Sequence, residues 1–116
     1  MPSIIRDKSF NFALKAIKLY QQLISDKEFV ISKQLLKSAT SIGANVEEAL
    51  AGQSKKDFIH KMSIASKEAR ETKYWLQLLH ESKITSIQVT PMLNDIDEII
   101  KILTAIIKTS TESNRK

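Results

Sequence analysis

Residues 38–79 decide the fold of this chain, and they read SATSIGANVEEALAGQSKKDFIHKMSIASKEARETKYWLQLL. The stretch predicts two long helices joined by a tight turn over residues 51–54. Gly52 suits the left-handed residue that follows many helix ends, and Ser54 followed by Asp57 is typical of a helix N-terminal cap. This order of helix, turn, cap and helix predicts an antiparallel helical hairpin at the centre of the chain.

The composition of the whole chain favours an all-α protein. With 116 residues, of which 42% are hydrophobic, residues 1–116 are expected to form a single domain around one core. Two Gly and two Pro leave few points for chain reversal, which favours long helices over many short strands.

Four amphipathic helices are predicted from apolar residues at three- and four-residue spacing. The predicted spans run from residue 7 or 9 to 25, then 31–51, 54–82 and 90–108. Gly43 inside the second helix indicates a close packing contact, because glycine otherwise destabilises a helix interior. Residues 109–116 contain no apolar residue and are expected to fray.

The first predicted helix has more apolar surface than one side of a bundle can bury. Its polar residues share one narrow face, and apolar residues cover roughly twice the ~100° arc of an ordinary surface helix. A second apolar patch lies off the core stripe of the third helix. We therefore predict self-association through Phe12, Leu19, Leu23, Ile64, Tyr74, Trp75 and Leu78. For Trp75, folding back over the edge of its own bundle is the alternative.

The positive charge of the chain is concentrated in its first half. The formal net charge is +5, and residues 1–46 carry seven Lys or Arg against three Asp or Glu. Such a surface attracts a phosphate backbone, although it also serves simply to keep a protein soluble. The lysines predicted to contact phosphate are Lys8, Lys15, Lys18, Lys33, Lys37, Lys55 and Lys56.

The sequence contains no recognisable catalytic or metal-binding constellation. The absence of Cys excludes disulfides and thiolate ligands. Asp57 and His60 are one helical turn apart, but bundle metal sites need a second such pair. No Gly-rich phosphate loop or nucleophile elbow occurs. We predict a protein that is not an enzyme and needs no cofactor. An unrecognised site among Asn45, Glu48 and His60 is the enzymatic alternative.

The chain has no segment suited to a membrane. Charged residues follow the N-terminus before any apolar run, and the apolar segment 99–107 is far shorter than the ~20 residues of a membrane span. We expect a cytoplasmic protein that does not contact a membrane.

Three segments resemble a known family: residues 41–49 (SIGANVEEA), 53–58 (QSKKDF) and 65–79 (ASKEARETKYWLQLL). They resemble the bacterial four-helix bundle proteins encoded in intervening sequences of 23S ribosomal RNA genes, and the resemblance covers residues 7–108. It implies an antiparallel up-and-down four-helix bundle that assembles into a homopentamer. Carried onto this chain, the signature falls on Ser41, Ile42, Asn45 and Glu48, with Phe58 and Glu71 from the later run.

A related group, the accessory variability proteins of diversity-generating retroelements, is similar in having a pentameric bundle that engages nucleic acid and a reverse transcriptase. The resemblance implies no catalytic activity. We therefore expect a homo-oligomeric scaffold or binding ring that contacts RNA or DNA through backbone charge. The alternative is a protein–protein interaction adaptor that binds no nucleic acid.

Overall fold

Four antiparallel helices form the structure, a computed structural model that describes residues 3–115. Helix α1 spans Ile4–Ser25, α2 Ile31–Ala51, α3 Lys55–Ser82 and α4 Thr90–Arg115. Each helix packs against the next in chain order, and α4 closes the bundle by packing on α1. The seam between α2 and α3 is the most extensive, and the seam between α1 and α4 is the least closely packed. The predicted all-α up-and-down bundle is confirmed.

Local hydrogen bonds fix where the helices begin. The Ser54 hydroxyl accepts from the Asp57 amide at 3.0 Å, so the predicted cap of α3 is present. The Ser3 hydroxyl accepts from the Arg6 amide at 3.3 Å in the same way. This cap lets α1 begin at Ile4, several residues before the predicted start.

The connection from α1 to α2 is built without glycine. Lys27 has a positive φ of 65° and its amide donates to the Ile24 carbonyl at 3.0 Å. The Glu28 amide donates to the Leu23 carbonyl at 2.8 Å. These two bonds are those of a Schellman motif, which satisfies the last carbonyls of α1.

Gly52 is not in the predicted left-handed conformation, since its φ is −63°. A Cβ atom at this position would lie 2.5 Å from Asp57 Oδ2 and 3.1 Å from the Ala49 carbonyl oxygen. Glycine is therefore favoured at this turn by the close approach of the α3 cap. The preference for glycine here does not come from a positive φ angle.

The Glu28 side chain caps the start of α2. Its carboxylate accepts from the amides of Val30, Ile31 and Ser32 at 3.1, 2.9 and 2.6 Å. Burial raises the pKa of Glu28, but the hydrogen bonds from these amides and from the Ser32 side chain outweigh it. The pKa is therefore lowered from its ordinary value of 4.5.

The seam between α2 and α3 is narrow because its buried residues are small. Ala39, Ala65 and Ala69 have no exposed surface. The hydroxyl oxygens of Ser38 and Thr72 lie 2.9 Å apart in this seam, and each hydroxyl also reaches a backbone carbonyl of its own helix. Within the described part of the chain, no buried side-chain nitrogen or oxygen lacks a hydrogen-bond partner. The hydrogen bonds of the seam thus offset the cost of burying its polar residues.

Three residues predicted for an outer contact lie inside the bundle. Phe12, Leu19 and Leu23 are 2, 4 and 0% exposed, so the prediction is wrong for these residues. The large apolar residues that α1 leaves in solvent are Ile4 at its start and Phe10, Leu14 and Ile17 further along. The apolar arc is so wide that the sequence alone does not show which edge of it faces the core.

The predicted end of α4 at Lys108 is too early, and the fraying of residues 109–116 stays a prediction. Helix α4 continues to Arg115, and Lys55 Nζ donates to Ser113 Oγ at 2.8 Å, which links the end of α4 to the start of α3. Ser110 and Thr111 are half-buried. The helix therefore extends through polar residues because α3 lies beside it. Lys116 lies outside the described residues.

Substitution of Gly43 tests how closely α1 and α2 approach. A Cβ atom at this position would lie 3.5 Å from the Ser9 carbonyl oxygen, which is an ordinary van der Waals contact. Gly43→Ala is therefore expected to raise the free energy of unfolding by up to about 1 kcal/mol, measured by urea unfolding. Gly43→Leu should instead lower it. A less stable alanine variant would mean that the helices are closer than described.

Substitution of Glu28 tests the cap of α2. At pH 7, Glu28→Gln is expected to lower the free energy of unfolding by about 1 kcal/mol, because a neutral amide is a weaker acceptor than a carboxylate. Since the folded pKa is lowered, the carboxylate contributes its stability above the unfolded pKa and loses it as the pH falls through the folded pKa.

The difference between the wild type and Glu28→Gln should therefore shrink on acidification, as measured by thermal unfolding from neutral to acidic pH. Glu81→Gln, at an exposed position near the end of α3, is the matched control. A constant difference between wild type and Glu28→Gln at all pH values would contradict the cap.

Candidate functional site

The lysines predicted to contact phosphate do not form one patch. Lys8 and Lys15 lie in the α1–α4 seam. Their Nζ atoms pair with Glu98 at 2.5 Å and with Asp95 at 2.8 Å. These two positive charges are thus balanced within the bundle.

The other predicted lysines lie in three separate places. Lys18 is on the exposed side of α1 beside the α3–α4 connection. Lys33 and Lys37 are one turn apart and exposed near the start of α2. Lys55 and Lys56 are at the start of α3, near the opposite end of α2. A ligand that needs several converging cations would not find them at any one of these places.

Two exposed or partly exposed apolar patches flank α2. The first, called here the α1 patch, consists of Phe10, Leu14 and Ile17, which are 61, 50 and 41% exposed. It borders a groove of about 150 Å³ that Phe10 and Ala13 of α1 form with small residues of α2. A single copy of the chain leaves this patch in contact with solvent.

The second patch, called here the α3 patch, consists of Ile64, Trp75 and Leu78, which are half-buried. Trp75 packs against the core, and its indole N–H donates to Glu71 at 3.1 Å. Trp75 thus folds over the edge of its own bundle, and part of its surface stays open to another chain. Lys61 precedes Ile64 by three residues, and Thr72 precedes Trp75 by three residues. Both Lys61 and Thr72 contact α2, which places the patch on the α2 side of α3.

The signature residues Ser41, Asn45 and Glu48 follow one edge of α2. The Asn45 side-chain amide donates to the carbonyl and hydroxyl oxygens of Ser41 at 2.9 and 3.1 Å. Glu48 accepts from Lys61 of α3 at 3.0 Å, and this hydrogen bond raises the pKa of Lys61. His60 is exposed on α3. The signature residues therefore take part in contacts that order α2 and join it to α3.

A third surface, which the sequence analysis missed, lies between α3 and α4. It is a groove of about 630 Å³, called here the α3–α4 groove, and its lining combines basic, aromatic and amide side chains. The residues are Arg70, Lys73, Tyr74 and Gln77 of α3 with Asp97, Ile100 and Lys101 of α4. Tyr74 thus lines the groove on the α4 side of α3, and its ring also contacts Trp75 of the α3 patch.

The comparison with known families decides the identity of this bundle. Residues 2–105 match the 23S rRNA-intervening sequence proteins, a range that includes most of α4 and the three helices before it. The chain belongs to this family. The resemblance read from Ser41, Asn45 and Glu48 is therefore confirmed at the level of the family.

A solved structure shows the same fold as this intervening-sequence protein. It is a protein of unknown function from the S23 ribosomal protein family of Bacteroides thetaiotaomicron VPI-5482, at 1.70 Å resolution. The TM-score is 0.84 at 50% sequence identity, and the alignment covers 90% of this chain and 99% of that chain. No curated protein matches the chain.

The described residues of the intervening-sequence protein contain neither a metal-binding cluster nor a membrane-spanning helix. Within residues 3–115, no group of three or more His, Asp or Glu side chains could hold a metal ion. No helix among the described residues has both the length and the apolar character to cross a membrane.

A sequence signal for the α3–α4 groove does exist. Arg70, Lys73, Tyr74 and Gln77 are spaced by three, one and three residues, so they share one side of a helix. The net charge of the surrounding segment is small, because Glu68 and Glu71 stand among these residues in the sequence. The acidic residues cancel the basic ones in the net charge of the segment, but on a helix they lie on a different side from the basic residues.

Proposed function

We propose that this intervening-sequence protein is a non-enzymatic scaffold that assembles into a homo-oligomeric ring and binds RNA or DNA through phosphate charge. The observation that carries the proposal is the α1 patch. Three large apolar side chains spaced by one turn remain 61, 50 and 41% exposed in a single chain. Contiguous exposed apolar surface on a soluble protein marks an interaction site.

The positions of the two patches favour a ring over a two-fold dimer. The α1 patch and the α3 patch differ in sequence and shape, which suits a head-to-tail contact between copies. They flank the same helix, so they lie on neighbouring faces of the bundle. Head-to-tail faces roughly 90–110° apart close a ring of four or five copies. The pentamer that the family resemblance implies falls in this range.

In the proposed ring, α2 faces the centre, because the two contact faces converge on it. Lys33 and Lys37 are exposed on α2, and neither is in an ion pair among the described residues. The ring would repeat this pair in every copy. Weak phosphate contacts gain affinity when several act together on one strand. This combination supports nucleic-acid binding by backbone charge.

The alternative function, a protein–protein adaptor, is favoured by a different observation. Phe29, Val30 and Ile84 are 61, 74 and 54% exposed in the two connections at one end of the bundle. They lie away from both patches and could dock another protein. The relation to accessory variability proteins and the cytoplasmic location remain predictions.

The assembly is tested by light scattering on purified protein. The wild type is expected to have a mass that is a multiple of 13.2 kDa, and five copies are the leading expectation. Phe10→Glu combined with Leu14→Glu should give a monomer, because the contact would bury unpaired charges. Ile84→Glu, which changes an exposed apolar residue outside the patches, is the control and should keep the wild-type mass. A wild-type mass of one chain would refute the ring.

Nucleic-acid binding is tested by fluorescence anisotropy with a labelled RNA at several salt concentrations. The affinity of the wild type is expected to fall steeply with salt. The Lys33→Gln and Lys37→Gln double variant should show a shallower slope, by about 0.7 for each phosphate of a single strand that the variant no longer neutralises. Lys27→Gln with Lys83→Gln, which removes two charges from the connections, should leave the slope unchanged.

Salt-independent binding, or no binding, would contradict the role in nucleic-acid recognition. A protein partner that is recovered after nuclease treatment, and that Phe29→Glu with Ile84→Glu fails to recover, would then support the adaptor.

A further inference from the structure

We propose that the α3–α4 groove binds single-stranded nucleic acid, with Tyr74 as the stacking platform for a base and with Arg70 and Lys101 as phosphate contacts. This inference rests on the proposed nucleic-acid binding and deepens it, because it names an unpaired strand as the ligand. It also places the contact on residues outside the basic first half of the chain.

The charges lining the groove favour an anion. Arg70, Lys73 and Lys101 contribute three positive charges, and Asp97 contributes one negative charge. Lys73 Nζ lies 2.7 Å from Asp97 Oδ1, so these two charges balance each other. Arg70 and Lys101 are exposed, and neither forms an ion pair within the described part of the chain. Two cations, one from each helix, are thus open to phosphate across the groove.

Tyr74 supplies what the lysines of the first half lack. Its side chain is 53% exposed between these cations. Its ring makes an edge-to-face contact with Trp75, with centroids 5.2 Å apart and planes at 67°. Trp75 is itself held by the core and by Glu71, so the contact restricts the motion of Tyr74. An exposed, positioned aromatic ring beside cations is the arrangement with which proteins bind single strands.

The order of the groove residues suits a strand running along α3. Arg70, Tyr74 and Gln77 stand on successive turns, and one turn rises about 5.4 Å. A strand would therefore meet a cation, a ring and an amide in succession. The Gln77 amide both donates and accepts, so it can bond to any base edge. A duplex keeps its bases stacked on one another and cannot offer one to Tyr74.

The groove adjoins the proposed ring contacts where Tyr74 touches Trp75, but its cations and its opening lie on another face of the bundle. Those contacts lie on the α1–α2 and α2–α3 faces, and the groove lies on the α3–α4 face. An assembled ring would leave it open on the outer side of each copy. The site is therefore compatible with a protein in its assembled form.

The test is fluorescence anisotropy of a labelled 12-nucleotide oligo(U) with the full chain. Tyr74→Ala is expected to weaken binding by about 5- to 150-fold, the effect of removing the stack on one base, whereas Tyr74→Phe should stay within about twofold of the wild type. Arg70→Gln with Lys101→Gln should reduce the salt slope by about 1.4, since two phosphates would no longer be neutralised. The control is Lys27→Gln with Lys83→Gln, which removes two charges from the connections between helices and should leave the salt slope unchanged.

Two further ligands show which kind of nucleic acid the groove binds. Oligo(dT) of the same length is expected to bind through the same stack, and a duplex should bind more weakly. The chain has one tryptophan, and it contacts Tyr74, so oligo(U) should also change the Trp75 emission of the wild type. Circular dichroism and light scattering check that each variant keeps its fold and mass. If Tyr74→Ala alters the mass, the groove is tested by the Arg70→Gln/Lys101→Gln variant alone, and an unchanged salt slope would then overturn the proposal.

The outcomes separate this site from the broader function. Wild-type affinity in Tyr74→Ala together with a loss of binding in Lys33→Gln/Lys37→Gln would overturn the groove and leave the proposed function standing. A duplex that binds as tightly as the single strand would overturn the stacking. So would polyglutamate that displaces oligo(U) equally from the wild type and Tyr74→Ala, because charge alone, without a stacked base, would then account for the binding. A wild type that binds no nucleic acid would remove both proposals.

Discussion

The rest of the structure depends on how little of a helix a four-helix bundle can cover. Each helix buries a stripe only a little over ~100° wide, and α1 is apolar over a much wider arc. The bundle encloses Phe12 and Leu23 and leaves Phe10, Leu14 and Ile17 in solvent. No rotation of α1 would bury both sets, because they lie on different sides of the helix. The surplus apolar surface is therefore a property of the sequence, and it is the surface that the proposed assembly would cover.

The parts of the fold that follow from local chemistry could be predicted from the sequence. The turn around Gly52 marks the end of α2, and the cap at Ser54 marks the start of α3. What could not be predicted depends on neighbours distant in the chain. The side of α1 that faces the core is set by the positions of α2 and α4. The polar end of α4 stays helical beside α3, with Lys55 bonded to Ser113.

Neighbours that are distant in the chain also decide which charged residues are available to a ligand. Lys8 and Lys15 look like surplus charge in the sequence, yet their partners Glu98 and Asp95 stand on the far end of the chain. Arg70 looks neutralised by its acidic neighbours, yet Glu71 turns toward α2 and bonds to Trp75. A helix separates residues that are adjacent in sequence onto different faces. Charge therefore has to be counted by helix face, and the fold decides which faces of different helices meet.

The division of faces would allow one small bundle to support both proposed roles. Helices α2 and α4 stand at opposite corners, so the faces that meet at α2 can serve assembly without covering the groove beside α4. In the proposed ring, each copy presents that groove at a fixed spacing from the next. A strand longer than one site would then reach several grooves, and its affinity would rise although each copy binds it in the same way. Assembly would thus convert a modest single site into a strong one, which gives the exposed α1 patch a functional consequence beyond stability.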